Sequence, residues 1–230
     1  MKYNQEMKKH IHYILYTLLC RFSGCFNLHN ATVRWIIYHL SPSSKINIDS
    51  SKWVKSSISA FGENNEVSIM GEADLVYSNI AIHGNNNRVV LNGCTGILSL
   101  IIRGNNCHVI IDKKTSMEQC YMVCMGQGNS ITIGEDCMFS GGIEIWNSDT
   151  HLITDLEGNG INHSQPITIG NHVWLGKKAT VLKGVAIGNH VVVGTSSVVT
   201  KDIPAHSIAA GNPARVVKTG IDWKKGFIDI

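Results

Sequence analysis

The chain has 230 residues, of which 43% are hydrophobic and 16% are charged, and its formal net charge at pH 7 is +3. This charge is too small to favour nucleic acid as a partner, and the length allows one sizeable core with at most a small appended unit. The 22 glycines and only four prolines suit a turn-rich β-protein and argue against a collagen-like or disordered chain.

The seven cysteines are an odd number, and most stand in apolar, strand-like surroundings. We therefore predict free, buried thiols in a reducing cytoplasm. Cys120 and Cys124 are four residues apart, and no second pair matches them, so the sequence predicts no metal site. Cys124 or Cys137 as a covalent nucleophile is a rival mechanism, but no nearby His/Asn pattern supports it.

The N-terminal segment 1–45 is predicted to be helical. Apolar residues recur on one helical face at Ile11, Ile14, Leu15, Leu18 and Phe22, and a second helical segment is predicted at 31–40. The apolar run falls short of the ~20 residues of a membrane-spanning helix and lacks a signal-peptide cleavage site. A basic amphipathic segment of this kind can lie on an anionic membrane surface through residues 1–40. The alternative is a helical cap over the following β-structure or an oligomer contact.

A repeat of about 20 residues covers the next part of the chain. It is visible as GENNEVSI (62–69), GNNNRVVL (84–91), GNNCHVII (104–111) and GQGNSITI (126–133). Each unit joins a Gly/Asn corner, where left-handed backbone angles cost little, to an alternating apolar strand. One repeat per ~20 residues matches one three-sided coil with a bulge, so we predict irregular β-helix coils over 46–132.

A strict six-residue repeat occupies 169–204. Its first position is always aliphatic: Ile169, Leu175, Val181, Ile187, Val193 and Val199. Its fifth position is always small or aliphatic: Val173, Ala179, Val185, Val191, Ser197 and Ile203. Neither a helix nor an ordinary strand repeats every six residues, whereas a parallel β-helix built from hexapeptides does. Ile133, Phe139 and Ile145 share the same phase, so we predict a regular β-helix over 133–204.

One excursion interrupts this regular part at 147–166, in a polar stretch that contains two glycines. A loop inserted into a repeat scaffold is a common location for function. Residues 205–230 leave the repeat and are predicted to form a C-terminal tail, to which the sequence assigns no role.

Several motifs carry a family resemblance over residues 126–218. The hexads, SDTH at 148–151, NHVWLG at 171–176 and VVTKDIPAHSIAAGNPARVVK at 198–218 resemble the hexapeptide-repeat acyltransferases. The stretch 155–185 is most similar to bacterial O-acetyltransferases of sialic-acid-containing capsules. The resemblance implies an all-β, left-handed parallel β-helix behind the short α-helical N-terminal segment, a homotrimer, and acetyl-CoA as cosubstrate.

His151 is the predicted general base. A neutral imidazole can remove the proton of an acceptor hydroxyl as the oxygen attacks a thioester carbonyl. The resemblance implies this role for His151, with direct transfer and no acyl-enzyme. A base of this kind needs an orienting partner on its other ring nitrogen, which the sequence leaves open among Asp149, Asp155, Glu157 and a backbone carbonyl.

Trp174 stands at an outward position where the scaffold needs no indole. We expect it to line the acetyl pocket and to donate its N–H to the acceptor or to the developing oxyanion. Packing against a neighbouring subunit is the alternative. Asn147, Asp149 and His163 are candidate acceptor contacts, and hydrogen bonds that stabilise the loop are an equal alternative for Asn147 and His163.

The predicted coenzyme A contacts fall in two groups. Gly176, Gly194 and Thr195 are small enough to let a pantetheine arm lie along the coil edges. The resemblance places Thr200, Lys201 and Lys218 at coenzyme A contacts, and Arg215 is near enough in sequence to contribute a cation for the phosphates. For each lysine, an ordinary solvated surface is the alternative.

Taken with the resemblance, these residues predict an acetyl-CoA-dependent O-acetyltransferase that modifies a hydroxyl of a bacterial capsule or lipopolysaccharide. Its active site is expected between neighbouring subunits. A second hypothesis keeps the fold and the cosubstrate but changes the acceptor to a small sugar, a sugar nucleotide or an amine. A third is a solenoid used only for binding or assembly.

Overall fold

The computed structural model describes residues 26–34 and 37–226. Within them every regular element is a β-strand, and the strands stack as a parallel solenoid with three faces. The first face has eight stacked strands, one per coil: β1 (Phe26–His29), β4 (Lys45–Asp49), β7 (Glu66–Met70), β10 (Arg88–Asn92), β12 (His108–Ile111), β14 (Ser130–Ile133), β17 (Ile167–Ile169) and β20 (Ala186–Ile187).

The other two faces form one sheet, because two long strands continue around the corner between them. The second face contains β2 (Thr32–Arg34), β5 (Lys52–Val54), β8 (Asp74–Val76), β11 (Thr95–Asn105), β13 (Ser116–Gln127), β15 (Met138–Phe139), β18 (Trp174–Leu175), β21 (Val192–Val193), β23 (Ser207–Gly211) and β24 (Ala214–Thr219). The third contains β3 (Ile37–Leu40), β6 (Ser57–Phe61), β9 (Asn79–His83), the second halves of β11 and β13, β16 (Ile143–Trp146), β19 (Thr180–Leu182) and β22 (Val198–Val199).

The core is a continuous apolar column enclosed by the three faces. All six first-position residues of the hexads and all six fifth-position residues are buried, each at most 4% exposed, so both positions point into the core. On the third face, the parallel register aligns one such column: Ile58, Ile80, Leu100, Met122, Ile145, Val181 and Val199. No single coil could bury these side chains alone, so stability comes from the stacking of neighbours.

The Gly/Asn motifs of the N-terminal coils form a ladder at one corner. Asn64, Asn86 and Asn106 all have φ of 56–57°, the left-handed conformation that the sequence predicted for these corners. Two residues before Asn86, the position of Gly84 requires glycine, because a Cβ there would lie 1.9 Å from the carbonyl oxygen of Gly104. The corner therefore combines left-handed backbone with close contact between successive coils.

Asn87 is the centre of this ladder and is fully buried. Its Nδ2 donates to Asn65 Oδ1 (3.0 Å) and to the Gly104 carbonyl (2.9 Å), and its Oδ1 accepts from the Cys107 backbone N–H (2.9 Å). We expect Asn87→Ala to lower the free energy of unfolding by about 3 kcal/mol, because buried backbone groups on the next coil lose their partners. Urea unfolding should show a lower midpoint for Asn87→Ala, whereas the exposed neighbour Arg88→Ala should unfold close to the wild type.

The N-terminal prediction is wrong where the structure describes it. Instead of a helix at 31–40, β2 and β3 extend the solenoid, with Val33 paired to Trp53 and Tyr38 to Ile58 on the next coil. The stretch is rich in β-branched and aromatic residues, which favour strands wherever a sheet edge is available to pair with. The predicted helical face at 11–22 lies outside the described residues. The β-helix therefore begins no later than residue 26 rather than at 46.

The C-terminal end also differs from a simple tail. Strand β23 continues the second face beyond residue 204, and β24 folds back antiparallel on it.

Within the described residues, no helix is long and apolar enough to cross a membrane.

Candidate active site

The excursion leaves the solenoid after β16 and returns at β17, and Asn147 fixes its base. Asn147 is fully buried; its Oδ1 accepts from the Met125 backbone N–H (2.7 Å), and its Nδ2 donates to the Met125 carbonyl (3.1 Å). The Gln165 N–H donates to the Asn147 carbonyl (3.0 Å), so both ends of the loop meet at this residue. Of the two roles expected for Asn147, the geometry favours stabilisation of the loop over contact with an acceptor.

The tip of the loop is a short antiparallel turn closed by a bridge between Thr154 and Gly160. Asp155 Oδ1 accepts from the N–H groups of Glu157 (3.0 Å) and Asn159 (2.8 Å), and the Asn159 side chain donates to its other oxygen (3.0 Å). These bonds, that of the Asn159 side chain first, hold the pKa of Asp155 below its usual range. Asp155 is thus committed to the turn and not to the ring of His151.

Asn162 joins the two sides of the loop and Lys183 holds the loop against the next coil; sequence reasoning missed both. Asn162 Nδ2 donates to Asp149 Oδ2 (2.9 Å) and to the His151 carbonyl (2.7 Å), while its Oδ1 accepts from the Ile153 N–H (2.8 Å). The Lys183 ammonium donates to Asp149 and to the Asn162 carbonyl (3.0 Å). Nothing in the sequence shows which side chain of the following coil the loop will meet.

His151 is held by its backbone while its imidazole is exposed. Its N–H donates to the Asp149 carbonyl (2.8 Å), and its carbonyl accepts from Asn162. Within the described residues of one chain, no carboxylate hydrogen-bonds the ring, and Asp149 is engaged by Lys183 instead. The loop therefore presents an imidazole from a fixed main chain, with both ring nitrogens available.

Asp149 stays charged over the physiological range. The hydrogen bond from Lys183, and then that from Asn162, hold the pKa of Asp149 below its ordinary value of 3.8. A carboxyl group with a depressed pKa contributes stability above the unfolded value, and this contribution is lost as the pH falls through the folded value. The attachment of the loop through Asp149 is therefore expected to weaken only below pH 3.8.

We expect Lys183→Met to loosen the loop at neutral pH, because Asp149 loses its cation. The partly exposed pair contributes about 1 kcal/mol, so the loop should open, and be cut by chymotrypsin beside Leu156, roughly fivefold faster than in the wild type. The exposed Lys177→Met, at another corner, is the matched control and should be cut at the wild-type rate. Equal cleavage of all three proteins would show that Lys183 does not hold the loop.

Trp174 begins the second-face strand β18, far around the coil from the loop, which joins the third face to the first. Its Nε1 donates to Ser140 Oγ over 3.4 Å, and its ring centroid lies 5.9 Å from that of Trp223. One chain thus holds His151 and Trp174 at different corners. His163 is exposed on the same loop as His151.

The predicted coenzyme A residues fall into two groups in the structure, glycines at close contacts between coils and exposed polar or charged residues. A Cβ on Gly176 would lie 2.7 Å from the Thr195 nitrogen and the Val193 oxygen, so this glycine permits close stacking of coils. Gly194 is similarly tight, with Ala210 at 3.1 Å. The remaining candidates are all exposed in the last coil and the terminal hairpin: Thr195, Thr200, Lys201, Arg215 and Lys218.

The cysteine alternative is disfavoured by the environment of the thiols. The five described cysteines are free and buried. Burial raises the pKa of Cys137 to about 11, and contact with Cys107 together with burial raises the pKa of Cys124. A nucleophilic cysteine needs an accessible thiolate, which neither residue provides.

Comparison with known proteins assigns the family. The family described as "Bacterial transferase hexapeptide (six repeats)" matches residues 166–201. The solved polysialic acid O-acetyltransferase OatWY is 32% identical, with 88% of this chain and 93% of that chain covered and a TM-score of 0.68. The polySia-specific acetyltransferase NeuO is 27% identical, covering 88% and 90%, with a TM-score of 0.70. The chain therefore belongs to the hexapeptide-repeat acyltransferases.

The relatives that it matches include two enzymes named for polysialic acid. The polysialic acid O-acetyltransferase of Neisseria meningitidis is 39% identical over 129 residues, which are 55% of this chain and 60% of the relative. That of Escherichia coli O1:K1 is 40% identical over 126 residues, 54% and 41% of the two chains. These alignments span less than two thirds of either relative.

Proposed function

We propose that this protein is an acetyl-CoA-dependent O-acetyltransferase that modifies a hydroxyl of a bacterial surface polysaccharide. The observation that carries the proposal is the exposed imidazole of His151, on a loop whose backbone is held by Asn162. The solenoid that carries this loop matches OatWY over 93% of the length of OatWY. The left-handed sense of the coil, as in the family that the sequence resembles, belongs to the same proposal.

Transfer is direct in this proposal. The acceptor hydroxyl gives its proton to His151 while its oxygen forms a bond to the thioester carbonyl carbon, and the carbonyl oxygen becomes an oxyanion. The Trp174 N–H stabilises this negative charge. When the tetrahedral intermediate collapses, the C–S bond breaks, the coenzyme A thiolate takes the proton from the imidazolium, and the acetyl ester leaves.

The site is proposed to lie between two subunits of a homotrimer. In one chain His151 and Trp174 lie at different corners of the coil, so one copy must supply the base and its neighbour the indole. The loop also carries four exposed apolar side chains, a concentration typical of a protein contact: Leu152, Ile153, Leu156 and Ile161. A neighbouring copy that covers them would bring the loop beside its own second face.

Coenzyme A is proposed to bind at the C-terminal end of the solenoid. Thr195, Thr200, Lys201, Arg215 and Lys218 are exposed there, and cationic side chains suit phosphate groups. Gly176 and Gly194 contribute by keeping the coil edge narrow. Buried free thiols fit a reducing compartment, so we infer a cytoplasmic location.

The test is acetyl transfer from labelled acetyl-CoA to a panel of capsular and lipopolysaccharide polymers, sugar nucleotides and amines, with the product identified by mass spectrometry. An alkali-labile acetyl ester on a polymer is the expected result. An alkali-stable amide, or acetylation of sugar nucleotides alone, would instead establish the small-acceptor activity. No product together with no thermal stabilisation by millimolar acetyl-CoA would overturn the enzyme proposal.

A further inference from the structure

The C-terminal segment 221–225 runs back along one corner of the solenoid. His172, His190 and His206 stand above one another there, each with a left-handed φ of 54–56°. His206 exchanges hydrogen bonds with the backbone of Ile221 (3.1 Å each way), and His190 Nδ1 lies 3.0 Å from Asp222 Oδ1. The segment therefore follows the histidine corner coil by coil, in the direction opposite to chain growth.

The segment is fastened at its far end by a second ion pair. Lys225 Nζ donates to Asp136 Oδ1 (2.8 Å) and to the Lys114 carbonyl (3.2 Å). Asp136 Oδ2 meets His172 Nδ1 at 2.7 Å. Lys225, Asp136 and His172 thus form one chain of charges beneath the segment.

His172 has an acceptor on each ring nitrogen. Nδ1 faces the Asp136 carboxylate, and Nε2 lies 2.8 Å from the Trp223 carbonyl. Neither acceptor carries a proton to give, because the pKa of Asp136 is held below its ordinary value by Lys225 first, with His172 adding to the effect. Both nitrogens must then donate, which requires the doubly protonated imidazolium.

The charges facing His172 agree with this proton count. Asp136 lies on the preceding coil, Asp222 Oδ1 is 3.7 Å from Nε2, and the His190 ring on the next coil is 5.2 Å away. Burial opposes the charge, but the Trp223 carbonyl and Asp136 outweigh it, so the pKa of His172 is raised above 6.5.

The same group has the spacing of a metal site, since ligand atoms of His172, His190 and Asp222 lie within 4.8 Å of one another. A metal ion at His172 Nε2 would have to displace the hydrogen bond to the Trp223 carbonyl, which already has a normal length. The hydrogen-bond pattern therefore favours a proton over a metal ion.

The contacts with His172 fix the position of Trp223. It is 8% exposed, its ring stacks on His172 (centroids 4.2 Å apart, planes at 14°), and its Nε1 donates to the His172 carbonyl (2.8 Å). Stacking of an aromatic ring on a cation is stabilising. Its ring centroid also lies 5.9 Å from that of Trp174, with the planes at 44°. Among the described residues, the Trp174 side chain makes one hydrogen bond, the long 3.4 Å bond to Ser140.

We propose that Trp223 is a positioning residue for Trp174, and that the segment 221–225, locked by the imidazolium of His172, forms a wall of the acyl-transfer site. The proposal rests on the proposed function for the role of Trp174. The ring contact with Trp223 limits where the N–H of Trp174 can point.

The first test is optical and needs no activity. Two tilted indoles 5.9 Å apart couple, so we expect a circular dichroism couplet in the far ultraviolet that disappears in both Trp174→Phe and Trp223→Phe and persists in Trp146→Phe. It should weaken as the pH rises from about 6 to about 9, because a group with a raised pKa loses its stabilising charge above that pKa. A couplet unchanged over this range would overturn the role of the His172 imidazolium, and a couplet unchanged in Trp223→Phe would overturn the packing.

The second test separates positioning from binding. In Trp223→Leu we expect kcat to fall roughly tenfold, because a misplaced group costs rate, with little change in the KM for acetyl-CoA; Trp223→Phe should recover much of the loss. His108→Gln, an exposed histidine on a distant coil, is the control. Wild-type kcat in Trp223→Leu would refute the positioning role, while an inactive wild type with an intact couplet would count against the proposed function alone.

Discussion

Replacing His151 with alanine is expected to reduce acetyl transfer by about 10²- to 10⁴-fold, the usual contribution of a general base. The loop should keep its shape, because the hydrogen bonds that hold it involve the backbone of His151 and the side chains of Asn162, Asp149 and Lys183, and not the imidazole. The loss should therefore appear in kcat, with little change in thermal stability. Initial rates with labelled acetyl-CoA measure it.

The control for this prediction is His108→Ala. His108 is also exposed but lies on β12, away from the loop, and its removal should leave the rate unchanged. If His151→Ala retained wild-type kcat, the base would have to be another group, and the proposed mechanism would fail even if the enzyme proposal survived.

A mixture of two inactive variants is expected to recover activity. His151→Ala and Trp174→Ala chains, denatured together and refolded at equal amounts, should form mixed trimers. In the proposed arrangement, a site takes an intact His151 from one copy and an intact Trp174 from its neighbour, which random assembly provides at roughly one site in four. The predicted recovery is thus about a quarter of the wild-type rate, from two proteins that are each nearly inactive.

A control mixture of His151→Ala with His151→Gln contains no intact base and should stay inactive. If the two-variant mixture also stayed inactive while size-exclusion chromatography showed mixed oligomers, then the site would lie within one chain. A loop that merely packs against its own solenoid would give that second outcome.

Most of the solenoid could be predicted from the sequence because its repeat is a regular recurrence of aliphatic and small side chains. The hexads from Ile169 to Val199 require an aliphatic residue at every sixth position, and the corner at Asn86 requires a residue that tolerates positive φ. Both requirements are local and therefore visible without a structure. The N-terminal error arose where no repeat was visible: at 31–40 the apolar residues fit a helical face, but pairing with β5 and β6 decided in favour of strands.

The parts that escaped prediction depend on contacts between segments distant in the chain. Lys183 reaches a loop 34 residues earlier, and Trp223 stacks on a histidine 51 residues earlier. Neither pair has a characteristic spacing, because the geometry depends on how the excursion and the tail return to the coil. For the same reason Asn147, expected as a contact of either the acceptor or the loop, could be assigned to the loop base only from its bonds to Met125.

The register of the coils has a consequence for how such a protein changes length in evolution. Lys45 pairs with Glu66, and Glu66 pairs with Arg88, so the segment 66–87 is one complete turn. If this segment were deleted, Lys45 would pair with Arg88, and every other side chain would keep its inward or outward orientation. Insertions and deletions that preserve the fold therefore add or remove whole turns, each ~4.8 Å high. The scaffold can lengthen or shorten toward its N-terminus while the distance from the excursion to the C-terminal end stays constant.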